Sequence, residues 1–220
     1  MADRGAAGTE RARAMLAVEF AALYLGVPLA MALLMPAAWL WPVFFAATAL
    51  ALGLLAATPG FAWAELARGW RRIEWRWVLG MALVTAAIAG ALVWALVPGQ
   101  AFWLPRREPA LWLAIMALYP FLSAAPQEVL FRVLFFRRYG GLFPSRRAAV
   151  AASAFVFALA HLVFWNWVAL VLTFVGGGIF AAAYLGRGGF ALAVVLHAVA
   201  GAIVFTSGIG SFFYHGAIGR

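Results

Sequence analysis

Seven long apolar runs, of roughly 20 residues each, set the strongest constraint on how this chain folds. The chain has 220 residues, of which 67% are hydrophobic and only 10% are charged. Soluble domains contain roughly 45–50% apolar residues, so a water-soluble core could not bury this much apolar surface. A helix of about 20 apolar residues crosses a bilayer. The sequence therefore predicts an all-α, polytopic membrane helix bundle of about seven transmembrane spans.

Short connections rich in Pro, Gly and Arg separate the predicted spans. The spans are predicted at residues 15–35, 39–57, 77–97, 110–136, 148–164, 167–185 and 190–206. In residues 61–76, Trp, Leu and Ile alternate with four Arg, a pattern that predicts an amphipathic helix lying in the headgroup layer. The chain then divides into a tail at 1–13, three N-terminal spans over 14–107, a four-span core over 108–207 and a short tail over 208–220.

The basic residues predict the orientation. All sixteen are Arg, and the net charge is +9. If the N-terminus is cytoplasmic, twelve of them lie on the cytoplasmic side, in 1–13, 61–76, 137–147 and at Arg187, and three lie opposite. Cytoplasmic connections carry the excess of Lys and Arg. The sequence predicts an integral protein of a bacterial inner membrane with a cytoplasmic N-terminus. Topology explains the positive charge, so lipid is the expected partner and no nucleic acid is expected.

A carboxylate and a guanidinium interrupt the fourth span. Glu128 and Arg132 are four residues apart, and on a helix this spacing puts them on one face in the favoured order. Ionisable groups inside a bilayer are costly and usually face a protein interior or a wet cavity. A self-neutralising structural pair is one reading, and a functional site is the other.

Two histidines in later spans favour the functional reading. His161 lies in the fifth span and His197 in the seventh, and both can converge with Glu128 inside a bundle to hold a water molecule. In this arrangement Glu128 would be the general base. The imidazoles would stabilise the oxyanion or hold the water, and Arg132 would position the carboxylate. Cysteine is absent, which excludes thiolate catalysis.

Three motifs in these spans resemble the CPBP (CAAX protease and bacteriocin-processing, or Abi) intramembrane proteases. The motifs are Gln127-Glu128-x-x-Phe131-Arg132, Phe157-x-x-x-His161 and His197-x-x-x-Gly201. The resemblance implies that 108–207 is a catalytic core that cleaves a membrane-anchored or lipidated protein tail through a Glu-activated water. It implies no cofactor, with zinc as the alternative.

Two positions depart from the family pattern. Gln127 stands where the family has its first Glu, and Gly201 stands where it has Asn or Asp. Gln cannot take a proton, so either Glu128 takes that role, with Gln127 as a polar neighbour, or activity is lost. Changes of this kind resemble the myxosortase-like sorting proteases. The rival functions are a non-catalytic membrane scaffold or immunity protein of the same fold and a small proton-coupled transporter.

The fourth span raises a question of depth. Pro120 and Pro126 predict a kink or break just before Gln127. Straight spans of equal length would leave Glu128 and His161 at different depths. We expect the fourth helix to extend toward Tyr139, so that the two side chains meet.

Three smaller features carry expectations of their own. Glu19, close to the predicted cytoplasmic end of the first span, should be interfacial or paired with a loop Arg, with a second cavity carboxylate as the alternative. The glycines at 176–178 should allow close helix packing. His215 should lie in the solvated tail.

Overall fold

The computed structural model describes residues 2–186 and 188–213, with side chains from residue 10 onward. Within this part of the chain every regular element is helical, and seven helices are long and apolar enough to cross a membrane. The predicted all-α polytopic bundle is confirmed. The spans are α1 Glu10–Leu34, α2 Ala37–Ala56, α3 Trp75–Leu96, α4 Pro109–Leu142, α5 Arg146–Phe164, α6 Trp167–Leu185 and α7 Gly189–Ser207. Arg187 and the tail with His215 lie outside the described residues.

Local sequence explains where several spans begin. Pro109 is the first residue of α4, a position where its missing N–H leaves no helical hydrogen bond unmade. The side chain of Ser145 accepts a hydrogen bond from the N–H of Ala148 at the start of α5. Asn166 caps α6 in the same way, through the N–H of Ala169. The connections before α5 and α6 are short, at residues 143–145 and 165–166.

The fourth span is a single helix of 34 residues, about 51 Å long at 1.5 Å per residue. The predicted extension past Tyr139 is confirmed, but the predicted break before Gln127 is wrong. The helix instead widens to π-helical turns at Pro120–Ala124 and Val129–Tyr139, with helical backbone angles at each junction. Pro120 begins the first π-helical turn, and Pro126 lies in the α-helical turn Ala125–Glu128 between the two, where the backbone stays helical.

The predicted amphipathic helix over 61–76 is also wrong. Only Ala64–Ala67 and Trp70–Arg72 are helical. Gly69 separates them with φ of 91°, a backbone conformation that a continuous helix cannot contain. A Cβ atom at Gly69 would lie 2.9 Å from the carbonyl oxygen of Gly188, so this connection packs tightly against the start of α7.

Arginine side chains gather at one end of the bundle, which we call the arginine-rich end (the start of α1, residues 57–74, residues 137–147, Gly186 and Gly188). Arg138 donates to Glu19 at 2.9 Å, so the predicted Arg partner of Glu19 is confirmed. Arg137 pairs with Glu65 at 2.7 Å, and Arg146 donates to the carbonyl of Leu185 at 2.7 Å. Residues 97–108 and 208–213 lie at the opposite end, where Phe102 N–H donates to the Ser207 carbonyl.

The last span, α7, is the centre of the bundle. It packs against α3, α6 and the first half of α4. The side chains of α7 that face these neighbours are buried from Phe190 to His197. This central position brings His197 to the middle of α4, where the ionisable pair lies.

Candidate active site

Glu128 of α4 and His197 of α7 are in direct contact. The Nδ1 atom of His197 lies 2.8 Å from Oε1 of Glu128. Glu128 has no exposed surface, and the side chain of His197 is 7% exposed. A carboxylate only accepts, so Nδ1 carries the proton and donates it. The neutral imidazole then has its lone pair on Nε2.

The second oxygen of Glu128 faces Arg132. The Nε atom of Arg132 lies 3.2 Å from Oε2, and both side chains are fully buried. The N–H is not aimed at the oxygen, and neither atom makes a hydrogen bond with a protein group, so the attraction is chiefly Coulombic. The guanidinium also lies 4.6 Å from the ring centre of Phe157 and 5.7 Å from that of Phe180. Two aromatic faces and one carboxylate thus replace water around this cation.

The widened part of α4 fixes the backbone around the pair. The Tyr24 hydroxyl donates to the carbonyl of Leu130 at 2.6 Å, and the Ser153 hydroxyl donates to that of Phe131 at 2.8 Å. In a π-helical segment the backbone hydrogen bonds are displaced, which leaves carbonyls open to such side-chain donors. Hydroxyls from α1 and α5 therefore anchor the turn that carries Glu128 and Arg132.

His161 is oriented by its own helix. Its Nδ1 lies 2.8 Å from the carbonyl oxygen of Phe157, and a carbonyl only accepts, so Nδ1 carries the proton. The lone pair of neutral His161 is therefore also on Nε2. The ring of Phe157 lies edge-on to His161 at 4.7 Å and to His197 at 5.5 Å. One buried phenyl ring connects the two histidines and Arg132.

The sixth span contributes more than the glycines seen in the sequence. Phe180 stacks on the His197 ring at 4.8 Å with 12° between the planes. The expectation for the glycine run is confirmed at Gly177, where a Cβ atom would lie 3.1 Å from both Ala154 Cα and the Phe157 ring. Because α5 and α6 approach closely at this glycine, Phe157 and Phe180 both contact the His197 ring. Phe180 was missed because it belongs to no charged or polar pattern.

A cavity of about 1720 Å³ lies beside these residues, on the side of the opposite end. Gln127, His161 and His197 line it, together with Gly99 and Gln100 of the connection after α3 and Gly208–Ser211 after α7. Glu128 and Arg132 do not line it, because they lie behind His197. Three of the five predicted site residues therefore line the cavity. The other two, Glu128 and Arg132, are buried in the protein interior.

Gln127 presents an amide to the same cavity. Its Nε2 donates to the hydroxyl of Ser123 at 2.8 Å, and its Oε1 is buried with no hydrogen-bond partner in the protein. Ser123 also lines the cavity. A buried acceptor without a partner costs free energy, and Oε1 can meet a donor in the cavity only after the Gln127 side chain rotates.

Gly201 is explained by Tyr119, which sequence reasoning missed. A Cβ atom at position 201 would lie 2.2 Å from Cε1 of Tyr119 and 2.5 Å from its hydroxyl oxygen. The phenol therefore fills the space that a side chain at 201 would occupy. Tyr119 lines the cavity and lies edge-on to His197 at 6.0 Å. Four-residue spacing to Ser123 and Gln127 was the signal that could have revealed it.

The donors present do not form an evident metal centre. Within the described residues, no group of three or more His, Cys, Asp or Glu side chains is arranged to hold a metal ion. Nε2 of each histidine has its lone pair free, but both oxygens of Glu128 already face His197 and Arg132. Two imidazoles alone provide fewer ligands than the three protein groups of a catalytic zinc site.

Comparison with known proteins gives one match. Residues 108–203 match the model of the type II CAAX prenyl endopeptidase Rce1-like family, which supports the predicted resemblance to the CPBP proteases. The matched segment contains all three motifs. No curated protein and no solved structure matches the chain. By its description, the matched family consists of prenyl endopeptidases.

Proposed function

We propose that this chain is an intramembrane endopeptidase that cleaves a membrane-anchored or lipidated protein tail with an activated water. One observation carries the proposal. The imidazole of His197 lines a large cavity and is held from behind by the buried carboxylate of Glu128. A base oriented by a carboxylate through its Nδ1–H is the arrangement that activates a nucleophile in hydrolytic sites.

In the proposed reaction, a water in the cavity attacks the carbonyl carbon of the scissile amide. Nε2 of His197 takes the water proton as the new C–O bond forms. The C–N bond then breaks, and the leaving amine takes that proton from His197. Glu128 is sealed from the cavity, so the role of direct base expected for it passes to His197. The carboxylate stabilises the imidazolium ion, and Arg132 positions the carboxylate.

His161 and Gln127 complete the site. Nε2 of neutral His161 is an acceptor, which suits it to hold a hydrogen of the attacking water rather than to stabilise an oxyanion. Rotation of the Gln127 side chain would bring its buried Oε1 to a backbone N–H of the substrate. No step of this scheme uses a cofactor.

The cavity favours a substrate that is itself embedded in lipid. Its walls are largely aliphatic and aromatic residues of α1 to α4, α6 and α7, with few polar groups apart from those around His197. Apolar walls can accommodate a hydrophobic tail, and the few polar groups then orient its backbone. We further propose the bacterial inner membrane, with the arginine-rich end cytoplasmic.

The test uses the purified full chain in proteoliposomes. The probe is a set of reporter proteins, each with one apolar helix and varied flanking residues, in unmodified and prenylated forms. Mass spectrometry of the products should find one cut site made by the wild type and by an Arg72→Ala control. His197→Ala should abolish the cut. Absence of any cleavage, with proton flux on addition of solutes, would favour the transporter; absence of both would favour the scaffold.

A further inference from the structure

The two histidines leave one requirement of the reaction unmet. Each donates its Nδ1–H to a neighbour, His197 to Glu128 and His161 to the carbonyl of Phe157. Each therefore presents a lone pair at Nε2 when neutral, and a lone pair cannot stabilise a developing oxyanion. Amide hydrolysis is accelerated most by a donor aimed at that oxygen, so a donor from another residue is required.

Tyr119 is a neutral donor that lies beside His197. Its ring lies edge-on to that imidazole at 6.0 Å, and both residues line the cavity. Its hydroxyl points toward α7, because that oxygen would lie 2.5 Å from a Cβ atom at Gly201. Gly201 is one helical turn beyond His197, so the phenol hydroxyl lies on the same side of α7 as the base and about 6 Å further along the helix.

Neighbouring polar groups support a donor at this place. Tyr119, Ser123 and Gln127 follow one another at four-residue spacing on α4, and all three line the cavity. The Ser123 hydroxyl adjoins the phenol and accepts from Gln127 Nε2. This row places Tyr119, a hydroxyl donor, beside the base on a wall that a substrate in the cavity would contact.

We propose that Tyr119 is a catalytic residue that donates its O–H to the oxyanion, from the space left by the missing side chain at Gly201. The inference rests on the proposed peptidase function. The hydrogen bond forms as the carbonyl oxygen gains charge, and the phenol keeps its proton throughout. Gly201 is required because any other residue there would overlap the ring.

Removal of the single hydroxyl tests the proposal. Tyr119→Phe keeps the ring contacts, so KM for a cleaved reporter should stay within about twofold while kcat falls about 10²- to 10³-fold. Tyr184→Phe is the matched control, since Tyr184 stacks on Phe136 away from the cavity, and it should cleave at the wild-type rate. A wild-type rate for Tyr119→Phe would overturn the proposal. If the wild type cleaves no reporter, it is the peptidase function that fails.

A second set of variants moves the donor between helices. Gly201→Asn alone should lose activity, because the new side chain overlaps Tyr119. Tyr119→Ala combined with Gly201→Asn replaces the phenol by an amide donor from α7, so it should cleave faster than Tyr119→Ala alone. Equal rates for these two variants, both folded by thermal denaturation, would show that a donor at position 201 cannot replace the phenol and would count against the inference.

Discussion

Oε1 of Glu128 lies 2.8 Å from Nδ1 of His197, although the two residues are 69 positions apart in the chain. The contact exists because α7 occupies the centre of the bundle and α4 passes beside it. It orders the site in depth, with Arg132 and Glu128 in the protein interior, His197 at the wall of the cavity and the substrate beyond. Loss of each group should therefore have a distinct effect.

Glu128→Gln should nearly abolish cleavage and also destabilise the fold. The amide cannot stabilise the imidazolium ion, so kcat should fall by about 10³-fold or more. Arg132 would be left as an unpaired buried charge, which costs about 3–5 kcal/mol. Reporter cleavage and unfolding in mild detergent measure the two effects. Glu65→Gln is the control: it breaks a partly exposed pair with Arg137 and should lower the free energy of unfolding by less than about 1 kcal/mol.

Replacement of the whole ion pair should separate stability from activity. Glu128→Leu with Arg132→Leu removes both charges together, and such an exchange of a buried pair for apolar residues is often neutral or stabilising. We expect the double variant to recover the stability lost in Glu128→Gln and to remain inactive. Recovery of cleavage in the double variant would contradict the role given to Glu128.

Phe157→Leu should lower both stability and kcat by more than its change in side-chain volume suggests. The ring lies 4.6 Å from the Arg132 guanidinium and contacts both histidines. Loss of the cation–π contact should cost about 1–2 kcal/mol, and misplaced histidines should lower kcat. Phe155→Leu on the same helix is the control, because Phe155 is 54% exposed and reaches none of these groups. Equal effects of the two substitutions would argue against the bridging role of Phe157.

Metal chelation should leave cleavage unchanged. Both oxygens of Glu128 are occupied by His197 and Arg132, so the two histidines lack a third ligand among the described residues. The measurement is reporter cleavage after dialysis against a chelator, with and without added zinc. Activity that disappears with chelator and returns with zinc would favour the metal alternative.

The cavity mouth should face away from the cytoplasm. The chain has no cysteine, so single cysteines report on their surroundings without background. Gly99→Cys lies at the cavity mouth, where a new side chain meets open space, and Arg71→Cys lies at the arginine-rich end. In intact cells a membrane-impermeant maleimide should label the first and spare the second. The reverse pattern would overturn the proposed orientation.

The sequence predicted those features that depend on length and periodicity. Apolar runs near 20 residues define the seven spans, since a helix of that length crosses the bilayer with its backbone hydrogen bonds made internally. The spacing of Glu128 and Arg132 predicted a pair on one face, and the pair is present. The Arg partner of Glu19 followed from its place near a span end.

Features that depend on packing between helices were missed or wrong. Pro126 predicts a break in an isolated helix, whereas in the bundle the helical backbone continues through it. In the π-helical turn that follows, Tyr24 and Ser153 donate to the carbonyls of Leu130 and Phe131. Gly69 broke the predicted surface helix because it packs against Gly188. The sealed position of Glu128 and the nearness of Tyr119 to Gly201 arise from contacts between distant spans, which no local pattern records.

The buried Glu128–Arg132 pair also constrains how descendants of such a chain can diverge. Loss of either partner alone leaves an unpaired charge buried in the apolar interior, and a variant with such a charge is strongly destabilised. Simultaneous exchange of both for aliphatic residues avoids the penalty but discards the chemistry. Homologues retaining only one member of the couple should accordingly be scarce, and those lacking both should be the ones that have abandoned hydrolysis.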